Sequence, residues 1–430
     1  MISSSNGSGR AHKILIVAPN ASSRFGGESF LPLKYFEILR RRGLPAKLIA
    51  HARNRADLTA TLGPFLQDIM FVEDTLWHRV IWQTGRHFPN RIRELIFGAI
   101  LALINSHYQA KLIRNLIEAG EVDIIHEPIP VSPRTPSSIY GFGIPVVIGP
   151  MNGGMNYPPG YEDYESVVTR KFVGGARSLA KMMNRLIPGK RRAAVLLVAN
   201  ARTRAALPFL GHPNVVELVE NGVDQSIWTA ADRQPRAVDN AFRLVFMGRL
   251  VDWKAVDITL DAISRARTRN IPATLDILGD GPERARLEAR AAEPDLAGAV
   301  KFHGLLPQSS CRDVARRMDA LIINSVHECG GAVVLEAMSL GLPVIASDWG
   351  GPADYIDDSC GIVVHPVPRA SFADRLATAI ERLAGDPALS ECMGRAGEAK
   401  IRAEYDWEKK VDRIVEIYQQ VSDSTIRPVR

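Results

Sequence analysis

A chain of 430 residues is longer than one ordinary hydrophobic core accommodates, so two domains are expected. With 46% hydrophobic and 23% charged residues and no low-complexity tract, it reads as globular rather than disordered or fibrous. The net charge of +6 is uneven: residues 1–230 carry 27 Lys/Arg against 17 Asp/Glu, a net +10, and residues 231–430 a net −4.

The four cysteines, Cys311, Cys329, Cys360 and Cys392, form no C-x-x-C pair, which argues against a zinc or disulfide framework and for a reducing, cytoplasmic setting. The N-terminal MISSSNGSGRAHK has no apolar core of a secretory signal and reads as a polar tail. The most apolar stretch, Leu95 to Ile104, falls short of the about 20 residues that a membrane-spanning helix needs.

In chain order, His12–Ala18 is a buried-strand pattern, followed by the loop Pro19–Gly27 and a helix over about Glu28–Arg42. Ala46–Ala50, Val122–His126, Ile144–Ile148, Val195–Val198 and Val215–Leu218 read as further strands. The region Leu76–Gly120, rich in Arg, His and aromatic residues, reads as helical. Pro235 and polar neighbours mark a linker over 225–241, separating a first domain of 1–224 from a second of 242–407, with a closing helix over about 408–430. In the second domain the runs Leu244–Met247, Leu275–Leu278, Val300–His303, Leu321–Ile323, Val344–Ala346 and Ile362–Val364 are strands. Between them Val256–Thr268, Glu283–Ala292 and Ala332–Leu340 are amphipathic, the last stopped by Gly341 and Pro343. Such alternation specifies α/β architecture with parallel sheets. Ligands of such sheets bind beyond the C-terminal ends of the strands, so a substrate is expected where those ends of the two sheets face each other.

Four segments of the second half carry chemistry. In Phe246-Met-Gly-Arg-Leu-Val-Asp-Trp-Lys254, a strand ends at Gly248, and Arg249 and Lys254 follow in the strand-to-helix loop, where two cations can converge on a phosphate. Leu278-Gly-Asp-Gly-Pro-Glu283 is a glycine-rich turn in which Gly279 and Gly281 permit close backbone approach, although a turn holding no ligand fits it equally well. Glu328-Cys-Gly-Gly-Ala-Val-Val-Leu-Glu336 sets two carboxylates around a helix start, with Gly330 and Gly331 leaving the first helical N–H groups open to an anion. One carboxylate can contact a sugar while the other takes a ribose diol. The apolar neighbours Val334, Leu335, Ala337 and Met338 make Glu336 costly as a purposeless charge. Ser347-Asp-Trp-Gly-Gly-Pro-Ala-Asp354 is a second Gly-Gly loop, or a plain turn.

Together these segments resemble the family 4 (group 1) retaining glycosyltransferases of the GT-B fold, over most of residues 219–365. The resemblance rests on E-x7-E, on the helix and strand that follow it, and on G-R-L-x-x-x-K, L-x-I-L-G-D-G-P and Asn221-Gly-Val-Asp224. It implies two Rossmann-like domains with parallel sheets facing across a deep cleft. Arg249 and Lys254 would bind the donor diphosphate, Glu328 the donor sugar and Glu336 the ribose. The sequence departs from the family at Gly330, where an aromatic residue is usual, at Ala255, usually Gly, and at Asp354, where Glu is commoner.

The first half resembles the family more loosely. Gly26-Gly27 matches a loop whose amides approach the diphosphate, and His126, at a strand end, matches a histidine found near the donor sugar; a lone histidine is more often structural. Asn152, Gly153 and Gly154, in Gly149-Pro-Met-Asn-Gly-Gly154, read as an acceptor-side loop.

The resemblance implies transfer of a hexosyl unit from a UDP- or GDP-linked sugar to a glycan or lipid-linked acceptor, as in cell-surface polysaccharide or glycolipid assembly. Retention is implied, and with no enzyme nucleophile evident, front-face attack is favoured. No Asp-x-Asp follows a strand, so no metal and no other cofactor is expected, the cations taking the metal's place. A sugar-nucleotide 2-epimerase of the same fold, disfavoured by E-x7-E, and a non-catalytic sugar-nucleotide binder, disfavoured by the intact charged set, are the alternatives. No nucleic-acid motif accompanies the basic charge, and nucleic acid is not expected as a partner. The basic clusters around Arg79–Arg93 and Arg170–Arg192, beside the apolar Leu95–Ile104, suggest peripheral docking on the anionic inner face of a membrane; a soluble acceptor is the competing view.

Overall fold

The computed structural model describes residues 12–22, 27–88, 97–164, 178–232 and 241–423. The chain divides into two compact units: one holds residues 1–153, 176–220 and 411–430, the other 154–175 and 221–410. The second unit thus takes residues 154–164 and 221–224, which the sequence reading assigns to the first domain.

The first unit is built on a seven-stranded sheet. Its strands are β1 (Ile14–Val17), β2 (Ala46–His51), β3 (Ile69–Val72), β4 (Ile124–Glu127), β5 (Val146–Met151), β6 (Val195–Val198) and β7 (Val215–Glu217). They lie in the order β3-β2-β1-β4-β5-β6-β7, every pair parallel. The inner strands are enclosed because helices cover both faces: β1, β4 and β6 are buried at every position. Helices α1 (Phe30–Arg41), α2 (Leu76–Gly85) and α3 (Gly98–Glu118) follow β1 and β3. The edge strand β3 is absent from the sequence reading; only Ile69 and Val72 are buried in it, so no continuous apolar run marks it.

The second unit carries six parallel strands, β8 (Phe242–Met247), β9 (Ala273–Leu278), β10 (Val300–Gly304), β11 (Ala320–Ile323), β12 (Val344–Ser347) and β13 (Gly361–Val364), ordered β10-β9-β8-β11-β12-β13. Its helices are α4 (Val256–Thr268), α5 (Arg284–Ala291), α6 (Gln308–Ala315), α7 (Ala332–Ser339), α8 (Gly351–Tyr355), α9 (Phe372–Gly385) and α10 (Pro387–Lys400). Phe372, Leu376, Ile380 and Leu383 give α9 an apolar stripe at helical spacing, all fully buried. The last helix, α11 (Trp407–Ser422), starts in the second unit and from Val411 belongs to the first.

Both sheets reverse their winding at one point, between β1 and β4 in the first and between β8 and β11 in the second. A crevice opens at such a point because the two following loops diverge to opposite faces.

Candidate functional site

The loops after β8 and β11 flank the reversal of the second sheet, and they carry Arg249, Lys254 and Glu328. Three links hold them together. The Val326 N–H donates to the Trp253 carbonyl at 2.9 Å. The Asn324 side-chain amide donates to the Ala255 carbonyl at 2.9 Å, and Thr259 donates to its oxygen at 2.5 Å. Lys254 Nζ forms an ion pair and hydrogen bond with Glu328 Oε2, their side chains 11% and 20% exposed. Ser325 Oγ donates to the same carboxylate oxygen at 3.3 Å. Thr259, Asn324 and Ser325 are fully buried, so each of these polar groups depends on its protein partner. The sequence reading missed Asn324 and Ser325; two polar residues closing the apolar run of β11 were the only signal.

Ala255, where the family usually has Gly, takes the left-handed conformation (φ 50°) at the start of α4. The departure leaves the backbone geometry of a glycine in place. Arg249 is exposed, and its guanidinium has no ion pair or hydrogen bond among the described residues.

Backbone packing explains the glycines. Gly248 and Gly279 have φ of 152° and 148°. A Cβ on Gly279 would lie 1.8 Å from the Gly248 carbonyl oxygen, and one on Gly281 2.1 Å from that of Leu250. The turn after β9 is therefore pressed onto the Arg249 loop. Gly279→Ala should destabilise the protein by at least about 2 kcal/mol and displace Gly248. Gly385→Ala, which meets nothing within 4 Å, should leave stability within about 1 kcal/mol of the parent. Urea denaturation of both variants checks this.

Gly331 begins α7 at φ 110°, with no side chain capping the helix, so its first N–H groups are left for an anion. The second Gly-Gly loop supports this turn: the Gly351 N–H donates to the Glu328 carbonyl at 2.8 Å, and a Cβ on Gly351 would lie 2.1 Å from the carbonyl oxygens of Cys329 and Gly330. Glu336 is half-buried inside α7, and Gln308 of α6 donates to it at 3.3 Å. Burial pushes its carboxyl up to about 7, the Gln308 hydrogen bond opposing.

Residues 154–164 lie against this unit as a strap. Tyr157 stacks on His327, next to Glu328, with ring centroids 4.6 Å apart. Trp349 Nε1 donates to the Asn156 carbonyl at 2.9 Å. Tyr161 is buried in the core, and Arg369 pairs with Asp163 at 2.7 Å. No local pattern in the sequence marked this docking.

In the first unit Gly27 has φ 69° and opens a short 3-10 turn, while Gly26 lies outside the described residues. His126, expected near a donor sugar, is instead fully buried. Its Nε2 lies 2.6 Å from the Gly149 carbonyl, which only accepts, so that nitrogen carries the hydrogen; Nδ1 lies 2.6 Å from the Tyr418 hydroxyl. With both nitrogens engaged internally, the ring ties β4 to β5 and α11. Asn152 and Gly153, expected in an acceptor loop, are likewise bonded inward. The Asn152 amide donates to Glu220 at 2.7 Å, and the Gly153 N–H donates to Thr203 at 3.1 Å. Gly154 (φ 82°) is the first residue of the strap.

Among the described residues no group of three or more His, Cys, Asp or Glu side chains is placed to hold a metal ion, and no helix is long and apolar enough to cross a membrane.

Residues 229–400, within the second unit, match the family model described as glycosyl transferases group 1. The chain is 28% identical over 231 residues to glycogen synthase of Mycobacterium tuberculosis, covering 53% of this chain and 54% of that one. It is 30% identical over 246 residues to alpha-maltose-1-phosphate synthase of the same species, covering 53% and 63%. The matches therefore span little more than half of these relatives' length. Anabaena Alr3699/HepE, solved in complex with UDP, superposes with a TM-score of 0.66 at 16% identity, covering 95% of this chain and all of that one. That likeness shows the fold: two Rossmann-like α/β units of the GT-B type.

Proposed function

We propose that this chain, whose residues 229–400 carry the group 1 glycosyl transferase pattern, is a retaining family 4 hexosyltransferase using a UDP- or GDP-linked sugar. The carrying observation is the Lys254–Glu328 pair at the reversal of the second sheet, beside the uncapped start of α7. A cation and open helical amides suit a diphosphate, and a neighbouring carboxylate suits sugar hydroxyls. The relatives are named glycogen synthase and alpha-maltose-1-phosphate synthase, and the HepE structure holds UDP, which supports a nucleoside diphosphate as the leaving group.

In the proposed reaction the bond between the anomeric carbon and the diphosphate oxygen breaks, and its electron pair stays on the diphosphate. Arg249, Lys254 and the α7 amides stabilise that growing charge, which is the main barrier. The acceptor hydroxyl attacks the anomeric carbon from the face the leaving group vacates, and its proton passes to the departing phosphate oxygen. Glu328 holds donor-sugar hydroxyls and Glu336 the ribose diol. No metal is required in this scheme, because the two cations do the neutralising. The acceptor is a glycan or a lipid-linked molecule reached at the cytoplasmic face of a membrane, where the four free cysteines stay reduced.

Thermal denaturation with UDP, GDP, ADP and their sugars tests the donor assignment. A cognate nucleotide at a hundredfold excess over its Kd stabilises the folded state by about 2.7 kcal/mol. A shift with none of them refutes the reading.

A further inference from the structure

The strap over residues 154–164 has no part in the reaction scheme above, yet three successive residues of it land on the loops around Glu328. Met155 packs on Gly350: a Cβ there would lie 2.3 Å from Met155 Cε and 2.8 Å from its Sδ. The Asn156 carbonyl accepts from Trp349 Nε1 at 2.9 Å. Tyr157 lies on His327 with the ring planes 22° apart. Trp349 and Gly350 belong to the second Gly-Gly loop and His327 to the Glu328 loop, so the strap spans both.

The other end of the strap is fixed in the second unit. Tyr161 is fully buried, and its hydroxyl donates to the Pro366 carbonyl at 3.0 Å. Arg369 donates to the Tyr164 hydroxyl at 3.1 Å, and its guanidinium lies 5.1 Å and 4.7 Å from the ring centroids of Tyr161 and Tyr164. The exposed Arg369–Asp163 pair alone would hold little, so the anchor is the buried ring with a cation over it. A segment tied down in this way keeps its near end in place before any ligand arrives.

The Glu328 turn needs such support. Cys329, Gly330 and Gly331 follow it, and the two glycines leave the backbone its widest choice of conformation. What holds the turn comes from its neighbours. Beside the Gly351 N–H on the Glu328 carbonyl, a Cβ on Gly350 would lie 2.5 Å from that same oxygen, so Met155, Gly350 and the Glu328 backbone are packed in succession. His327 and Glu328 share one planar peptide unit, and a His327 ring held against Tyr157 limits the torsions from which the Glu328 side chain departs. A carboxylate that binds sugar hydroxyls has to be held to within about 0.5 Å, by residues that themselves touch no ligand.

We propose that the strap is a brace for the donor-sugar carboxylate, with Met155 and Tyr157 as positioning residues that act through Glu328. The proposal rests on the transferase reading, which puts Glu328 on the sugar. The brace bears on the sugar end of the donor and not on its diphosphate, because Arg249 and the α7 amides make no contact with the strap among the described residues.

Calorimetric titration of the full chain with UDP and UDP-glucose, and with GDP and GDP-mannose, tests this on whichever pair the parent binds. Tyr157→Ala should weaken the nucleotide sugar about tenfold, the upper range for one aromatic pair, and the bare nucleoside diphosphate less than about twofold. His327→Ala, which removes the other ring, should reproduce that split. Tyr157→Phe, which keeps the stacked ring, should restore most of the nucleotide-sugar affinity. In a Glu328→Ala background, Tyr157→Ala should cost nothing further, since the carboxylate it positions is gone. Urea denaturation shows whether each variant is folded, and Tyr157→Leu, which keeps apolar bulk and lacks the ring, carries the same expectation should Tyr157→Ala unfold. Equal weakening of both ligands overturns the proposal, because the strap would then only hold the fold together. Parent-like nucleotide-sugar binding in the ring-free variants, or a loss that persists without Glu328, also overturns it. A parent that binds neither pair refutes the transferase reading and the brace with it. A parent that binds a pair and is indifferent to Tyr157 keeps that reading and loses only the brace.

Discussion

Lys254→Met should lower turnover, measured as nucleoside diphosphate release, by on the order of a hundred- to a thousandfold, the range for removing one group aimed at developing negative charge. The structure adds a second penalty. Without the lysine, Glu328 keeps its partly buried carboxylate with, among the described residues, only the Ser325 hydroxyl bonded to it, and that carboxylate should then repel the diphosphate. The double variant Lys254→Met with Glu328→Gln separates the two effects. Nucleotide affinity should recover in part because the repulsion is gone, while turnover stays low because the cation is still missing. Arg249→Gln should lose about tenfold or more in turnover, less than Lys254→Met, because an exposed, unpaired guanidinium is ordered only when the ligand arrives. Should neutralising both 249 and 254 leave turnover intact, the donor chemistry proposed for this chain is wrong.

The parts of the fold that were readable follow from burial on two faces. β6 and α4 occupy Val195–Val198 and Val256–Thr268 as the sequence suggests, because an inner parallel strand buried on both faces favours a continuous apolar run and a covering helix shows a 3.6-residue stripe. β3 escaped because an edge strand needs only alternate burial, and four residues are too few to show it. The charged set on the second unit was readable because chemistry demands residue types at short spacing. What supports that set was not. Asn324 reaches back 69 positions to Ala255, and Trp349 reaches 193 positions to Asn156. His126 shows the limit of such a reading. Its place at the end of β4 suggested a ligand contact, yet Tyr418, 292 positions later, occupies one of its nitrogens. A local pattern reports what a residue offers, and only the tertiary contacts report what it has left.

In the proposed site the half-buried Glu336 should make nucleotide binding depend on pH in a definite direction. Burial raises its carboxyl to about 7, and only the ionised form can accept both hydroxyls of a ribose diol. Affinity for the cognate nucleotide should therefore be flat above pH 8 and fall towards tenfold per unit below about 7, as protonation competes with binding. The stability of the ligand-free protein should run the other way. A carboxyl whose folded value lies above its unfolded one contributes stability that is complete below about pH 4.5 and is lost as pH rises through about 7. The loss is on the order of 1–2 kcal/mol, less than the full shift implies because the side chain is partly hydrated. Glu336→Gln should then be the more stable protein at pH 8, bind nucleotide about ten- to a hundredfold more weakly there, and lose the pH dependence of affinity. Calorimetric titration at pH 6 and pH 8, with urea denaturation of the free protein, measures both trends. An affinity in the parent that does not change between these pH values would remove Glu336 from the ribose site. In the proposed site the two trends should oppose each other, because one carboxylate is costly when the site is empty and useful when it is full.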